Sequence, residues 1–359
     1  MKILINTPPL NSPAGVSNHY MGLKPYFSRK VVYNKFLTTN YIRKRIKFQF
    51  LHKPLRLIMM GYDAIKFIIL LIVYQRPVVL LNPSFNETAI KRDLFFLSIA
   101  KFFSCKAAVF IHGWDKEYLG KIFNGVIRFH PAWKKADAFF VLAQEFKGYL
   151  EKLGIKAPVY LTTTKVNDKL IEGINGNTKR KEIQNILFLA RVEKSKGIFT
   201  TIDAFKILKK KWPDLKLRVV GPGKMLNQAK AYAEDEGINN IIFTGPLYGE
   251  DLKNEFIIAD LYILPTHSEG MPTSVLEAMA FGLPVITRPV GGLIDFFENG
   301  KMGYMIESLD PVDYAAKIEE LIKNSKKYSE ICENNMRYAK EHFMASDIAL
   351  NLERILSGL

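Results

Sequence analysis

The sequence predicts two doubly wound, Rossmann-like α/β domains, each a parallel sheet with helices on both faces, the pair facing a central cleft. Three observations predict it. Short β-branched runs alternate with helical stretches along the chain, the pattern of a parallel sheet covered on both sides. The alternation lapses once, over Thr162–Lys181, where Gly, Asn, Thr and Lys take over, and such a stretch reads as an interdomain linker. A chain of 359 residues is also long enough for two domains with separate cores.

The predicted elements follow in order. Ile3–Ile5, Val78–Leu81, Ala107–Ile111 and Ala138–Leu142 read as fully buried strands, each ending in a polar or Gly-containing turn. Beyond the linker, strands are predicted at Ile186–Ala190, Leu217–Val220, Ile241–Thr244, Leu261–Leu264 and Val285–Thr287. Helices are predicted between them at Thr200–Lys210, Asn227–Glu236, Leu252–Ala259 and Ser274–Phe281, then at Pro311–Asn324 and Ser329–Phe343. The domains are thus expected at 1–165 and 166–340. A last helix, from about 340 to 359, would cross back to the first domain, and a hinge near Lys165–Gly176 would let the cleft close. Leu57–Tyr74 is too interrupted by Asp63 and Lys66 to span a bilayer, which takes about 20 apolar residues. A buried helix feeding the strand at Val78 is expected there, in a protein that is soluble or monotopic.

Composition narrows the classes. About half the residues are apolar and a quarter charged, which excludes a disordered chain. Cys105 and Cys332 are the only cysteines, so a disulfide scaffold is not expected and a reducing, cytoplasmic setting fits. The opening MKILINTPPL has too short an apolar run for a signal peptide and reads as a strand. Of the net charge of +16, all the excess lies early: Met1–Lys165 holds 26 Lys plus Arg against 8 Asp plus Glu. Nucleic acid, an anionic membrane and an anionic substrate would each suit that charge. No nucleic-acid-binding module is present. Asn40–Lys53 and Arg92–Cys105 interleave basic and aromatic residues, as expected of peripheral contact with anionic lipid at the inner face of a cytoplasmic membrane.

The chemistry concentrates in His267–Ala280, HSEGMPTSVLEAMA. A buried strand ends at Pro265, a loop with Glu269 and Gly270 follows, and Pro272 sits where a helix would begin, capped by Thr273 or Ser274. The free N–H groups of that first turn and the helix dipole favour an anion. Glu277, one turn in, suits a vicinal diol such as a ribose, and Glu269 a second set of hydroxyls.

Glu269-Gly-Met-Pro-Thr-Ser-Val-Leu-Glu277 resembles the E-x7-E signature of retaining GT-B glycosyltransferases, and the chain as a whole resembles glycosyltransferase family 4. Phe188–Gly197 (FLARVEKSKG) is similar to the family's diphosphate-binding motif and maps its Arg and Lys onto Arg191 and Lys196, with Ala190 where the family has Gly. Pro13–Leu23 resembles the N-terminal Gly-rich loop, with Gly15 kept and Ala14 in place of its partner. Ile111–Asp115 (IHGWD) resembles the loop whose His reaches the donor sugar, which implicates His112.

The resemblance implies a catalytic set of His112, Glu269, Arg191 and Lys196. It also implies a donor-binding set of Gly15, Arg191, Lys196, Gly221, Pro246, Leu247, Glu269, Gly270, Met271, Pro272, Thr273 and Glu277. Gly221-Pro222-Gly223 and Gly245-Pro246-Leu247 would meet the base with backbone. His19 would face the donor or the acceptor. Breaking a glycosyl–phosphate bond puts negative charge on the departing diphosphate, which needs a metal or fixed cations. The sequence has no Asp-x-Asp pair, so Arg191 and Lys196 are expected to do this with no metal and no cofactor. The donor would be a UDP- or GDP-sugar and the acceptor a lipid-linked glycan in O-antigen, capsule or exopolysaccharide assembly. An epimerase or phosphorylase of the same fold, and a non-catalytic sugar-nucleotide-binding partner, are the alternatives.

Overall fold

The computed structural model describes residues 1–12, 15–36, 52–174 and 182–359. The chain forms two compact units, Met1–Thr163 with Ala345–Leu359, and Thr164–Met344. Each is built on a six-stranded, all-parallel sheet.

In the first unit the strands are β1 (Ile3–Thr7), β2 (Val31–Lys35), β3 (Val78–Leu81), β4 (Ala107–Ile111), β5 (Ala138–Val141) and β6 (Val159–Leu161), in the order β2-β1-β3-β4-β5-β6. The helices are α1 (Gly15–Leu23), α2 (His52–Val73), α3 (Glu87–Phe102), α4 (Lys116–Phe123) and α5 (Gln144–Lys152). Asn86 and Asp115 cap α3 and α4 with side-chain oxygens on free first-turn N–H groups. β1, β3, β4 and β5 are buried along their length, and these are the four strands the apolar runs predict. The sequence reading missed β2 and β6. Both are edge strands with one side open, so neither carries the continuous apolar run that burial on two faces demands.

The second unit contains β7 (Asn185–Leu189), α6 (Ile198–Lys209), β8 (Lys216–Val220), α7 (Leu226–Asp235), β9 (Ile241–Gly245), α8 (Gly249–Ile258), β10 (Leu261–Leu264), α9 (Thr273–Ala280), β11 (Val285–Thr287), β12 (Gly303–Met305), α10 (Pro311–Lys323) and α11 (Ser325–His342). Its order is β12-β11-β10-β7-β8-β9, so strand progression reverses between β7 and β10. The loops leaving those two strands flank the switch point, where a doubly wound sheet offers a crevice. β12 was also missed; it is a short edge strand that opens on Gly303.

Three expectations are corrected. The Thr162–Lys181 stretch is not uniformly loose: Val166 and Ile171 are buried, and Val166 N–H donates to Phe343 O at 2.7 Å; residues 175–181 lie outside the described residues. The last helix starts later than about 340, since α11 runs to His342 and α12 (Ala345–Ser357) begins after it, packing in the first unit against α1. Finally, α2 is not a buried helix. Ala64, Phe67 and Leu71 face the core, but Ile58, Tyr62, Ile65 and Ile69 are exposed.

Arg218 on β8 and Glu255 on α8 form a two-pronged pair at 2.5 and 2.6 Å, both largely buried. Removing one partner strands the other charge away from water. Glu255→Ala should cost about 3 kcal/mol, read as a drop in the urea midpoint of unfolding with an unchanged denaturant slope.

Candidate active site

In the first unit, His112 follows β4 directly, and its N–H donates to Pro83 O at 3.1 Å. The ring stacks on Phe110 at 3.8 Å between centroids and meets the edges of His19 and Tyr20 at 5.2 and 5.9 Å. Enclosure by these rings disfavours the charged form and pushes its pKa down to about 3. His112 is therefore neutral at physiological pH.

Its tautomer follows from a residue the sequence reading passed over. Asn82 Nδ2 donates to the carbonyls of Asn6 and Leu80 at 3.0 and 3.2 Å. Carbonyls can only accept, so the amide orientation is set and Oδ1 is an acceptor. Tyr20 OH donates to that oxygen at 2.5 Å, and His112 Nε2 lies 3.0 Å from it. Nε2 thus carries the hydrogen, and Nδ1 keeps its lone pair as an acceptor. A single Asn between two strands has no sequence signature; only the sheet register reveals its partner.

Gly15 is not a loop residue but the first residue of α1, and His19 lies on that helix, 4% exposed. A Cβ on Gly15 would meet nothing within 4 Å, so packing does not demand the glycine. Ala14 lies outside the described residues.

In the second unit, the loops after β7 and β10 are stitched together. Gly197 is left-handed (φ 77°) and its missing Cβ faces the Pro265 carbonyl, so no other residue lets this turn sit against the end of β10. His267 N–H donates to Ser195 O at 2.9 Å. Lys196, on the turn before Gly197, donates to Glu269 Oε1 at 2.5 Å, and Thr266 donates to the same oxygen at 3.1 Å. Gly291 and Gly292 clamp the Glu269–Gly270 backbone from behind: Gly292 N–H donates to Gly270 O at 2.8 Å, and a Cβ on Gly291 would strike both carbonyls. Arg191 is more open, its side chain 64% exposed, and reaches Glu193 at 2.9 Å. Both cations expected for phosphate therefore pair with carboxylates.

The start of α9 differs in detail from expectation. Pro272 is the cap position rather than the first helical residue, and neither Thr273 nor Ser274 caps. Tyr262 OH donates to Leu189 O at 3.0 Å, so at 2.7 Å it must accept from the Ser274 hydroxyl. Val275 N–H already donates to Pro272 O at 3.1 Å, and with no side-chain cap the N–H groups of Thr273 and Ser274 are left for another acceptor. Met271 is buried, and its carbonyl accepts from Thr164 at 3.3 Å. Glu277 lies one turn in, and burial raises its pKa to about 7 against the pull of buried Lys165.

Arg191, Lys196, Glu269, Gly270 and the start of α9 thus share the β7–β10 crevice. Gly221 follows β8, but its glycine identity is required by the fold, because a Cβ would strike the Ala190 carbonyl. Pro246 and Leu247 follow β9 at the sheet's edge, at the same carboxyl end.

Two measurements check these assignments. 15N NMR of His112 should show the Nε2–H tautomer with no titration between pH 5 and 8, and Asn82→Ala should give a tautomer mixture. For Glu277 the raised pKa means that the folded state holds a proton the unfolded chain releases earlier. Stability is then full below about pH 4.5 and falls as pH rises towards about 7. Glu277→Gln should flatten that fall and stabilise the unliganded protein at pH 8 by about 1 kcal/mol, a figure reduced for partial solvent access.

Residues 172–338 match the family model of glycosyl transferases, group 1. Over 173 residues the chain is 27% identical to a D-inositol 3-phosphate glycosyltransferase of Paenarthrobacter aurescens, covering 47% of this chain and 41% of that protein. Over 171 residues it is 30% identical to the capsular polysaccharide biosynthesis glycosyltransferase CapM of Staphylococcus aureus, covering 46% and 44%. The chain thus spans less than half the length of these curated relatives. Anabaena HepE, solved in complex with UDP, superposes over 100% of both chains with a TM-score of 0.74 at 17% identity. The chain shares the two-domain GT-B fold of that structure, and its second unit is similar, over residues 172–338, to the glycosyl transferases of group 1.

Proposed function

We propose that the chain transfers a sugar from a nucleotide diphosphate sugar to an acceptor hydroxyl, with retention at the anomeric carbon and without a metal, as in glycosyltransferase family 4. The observation that carries this reading is the joint presence of Lys196, Arg191, Glu269 and the uncapped N-terminus of α9 at one sheet switch point. Cleavage of the glycosyl–phosphate bond leaves its electron pair on the diphosphate. Lys196, Arg191 and the α9 N–H groups would take up that charge, in a crevice where such groups need no reorganisation. Glu269 would then turn from Lys196 towards sugar hydroxyls. Glu277, raised in pKa while empty, would accept hydrogen bonds from the ribose diol, and those bonds favour its ionised form. His112, neutral, would accept from a sugar hydroxyl through Nδ1, and Gly15 leaves room for close backbone approach.

HepE is solved with UDP, which supports a uridine donor. The role of CapM in capsular polysaccharide biosynthesis supports an acceptor in surface polysaccharide assembly, and the basic, aromatic first half of the chain supports one that is lipid-linked and met at an anionic membrane at the cytoplasmic face. Among the described residues no helix is long and apolar enough to cross a membrane.

The test is a thermal-shift and mass-spectrometric screen of UDP- and GDP-sugars with chelator present. One donor should stabilise the protein, and Lys196→Ala and Arg191→Ala should each weaken its binding by about tenfold or more, the scale of a charge-assisted phosphate bond. Glu277→Gln should also weaken it while raising the stability of the empty protein. Donor turnover abolished by chelator would overturn the metal-free mechanism. A folded protein that no nucleotide sugar stabilises would overturn the donor site.

A further inference from the structure

We infer that the outward face of α2 is a membrane-docking surface that lies in the headgroup region of an anionic bilayer. It names the surface that would make the proposed membrane contact and rests on that reading only for its purpose, since the argument uses no donor chemistry.

Ile58, Tyr62, Ile65, Ile69 and Ile72 repeat at intervals of four and three residues, which sets them in one line along the helix, and each is more than half exposed. Leu57 and Val73 widen the line at its ends. The opposite face already packs inward through Ala64, Phe67 and Leu71, with Phe67 against Phe96 on α3 at 5.1 Å. A helix apolar on both faces is expected to be covered on both. Here no described residue covers the outer face, and the patch continues onto Phe102, 84% exposed, which shares a groove with Ile72 and Arg76. Isolated exposed apolar residues need no explanation, but a contiguous stripe of this length does.

Charge identifies the occupant. The only acidic residue of α2, Asp63, is fully buried, so the outward face carries no carboxylate. Lys66 lies beside the stripe and exposed Arg76 at its end. The early half of the chain bears 26 basic against 8 acidic residues. A second copy docked on this stripe would bring two such positive bodies together. An anionic lipid surface instead receives the isoleucines below its headgroups and neutralises the cations around them. The basic stretch Asn40–Lys53, expected from sequence to make such contact, lies mostly outside the described residues and takes no part in this assignment.

The full chain is mixed with phosphatidylcholine vesicles, with and without phosphatidylglycerol, at low salt, and bound protein is read by sedimentation. The expected result is binding only to the anionic vesicles, reduced about tenfold or more by the exposed double substitution Ile65→Glu with Ile69→Glu. Circular dichroism and UDP-induced thermal shift on the same variant should match the parent, which separates loss of docking from loss of fold or of the donor site. Ile65→Trp should show a blue-shifted emission on binding, as insertion requires and adsorption by charge alone does not. Unchanged binding by the double variant, no binding by the parent, or a solution dimer dissolved by the same substitutions without vesicle binding would each overturn the assignment.

Discussion

The second unit depends on the seam between β7 and β10. These strands are neighbours in the sheet but far apart in the chain, and both ends of the seam are pinned. At the amino end, Asp260 Oδ2 accepts from the N–H groups of Gln184 and Asn185 at 2.9 and 2.8 Å. At the carboxyl end, the Lys196–Gly197 turn presses on Pro265, which only a residue without a side chain permits. With the seam held, the loop of β7 delivers a cation and the loop of β10 a carboxylate to one point. If the seam opened by an ångström or two, Lys196 and Glu269 would lose each other before any ligand arrived.

The loops of the site are held by their own ion pair and backbone hydrogen bonds. Lys196 and Glu269 are both mostly buried and neutralise each other, which spares each the cost of standing alone. A diphosphate would compete for the lysine with a carboxylate already in place, and the released carboxylate would then be ready for hydroxyl groups. Glu277 lies deeper and lacks so close a cation; burial keeps it near neutral. The two glutamates of the motif thus differ in surroundings, one paired with a lysine and the other enclosed without so close a partner.

The first unit shows the same division between support and presentation. Asn82, Tyr20 and the Asn6 carbonyl form a buried polar chain that orients one imidazole, and every member but the ring is spent on orientation. On the outside of that unit the opposite holds: α2 uses one face for packing and leaves a second apolar face that no other described residue covers.

The chain alone sufficed for the strands buried on two faces, because only a continuous apolar run satisfies that setting, and for the loops that carry Arg191, Lys196, Glu269 and Glu277, because Gly and Pro mark the turns on either side of them. It did not suffice for the edge strands β2 and β6, whose half-open surroundings tolerate mixed residues, nor for β12, which has three residues and opens on a glycine. Nor did it show that Lys196 meets Glu269, that Asn82 selects the His112 tautomer, or that Gly221 is a packing requirement; each depends on a partner brought close by the sheet and not by the chain. The apolar character of Leu57–Tyr74 was plain in the residues, but which of its faces is covered was not. Periodicity measures how side chains are distributed around a helix, and only the tertiary fold decides which of them find neighbours.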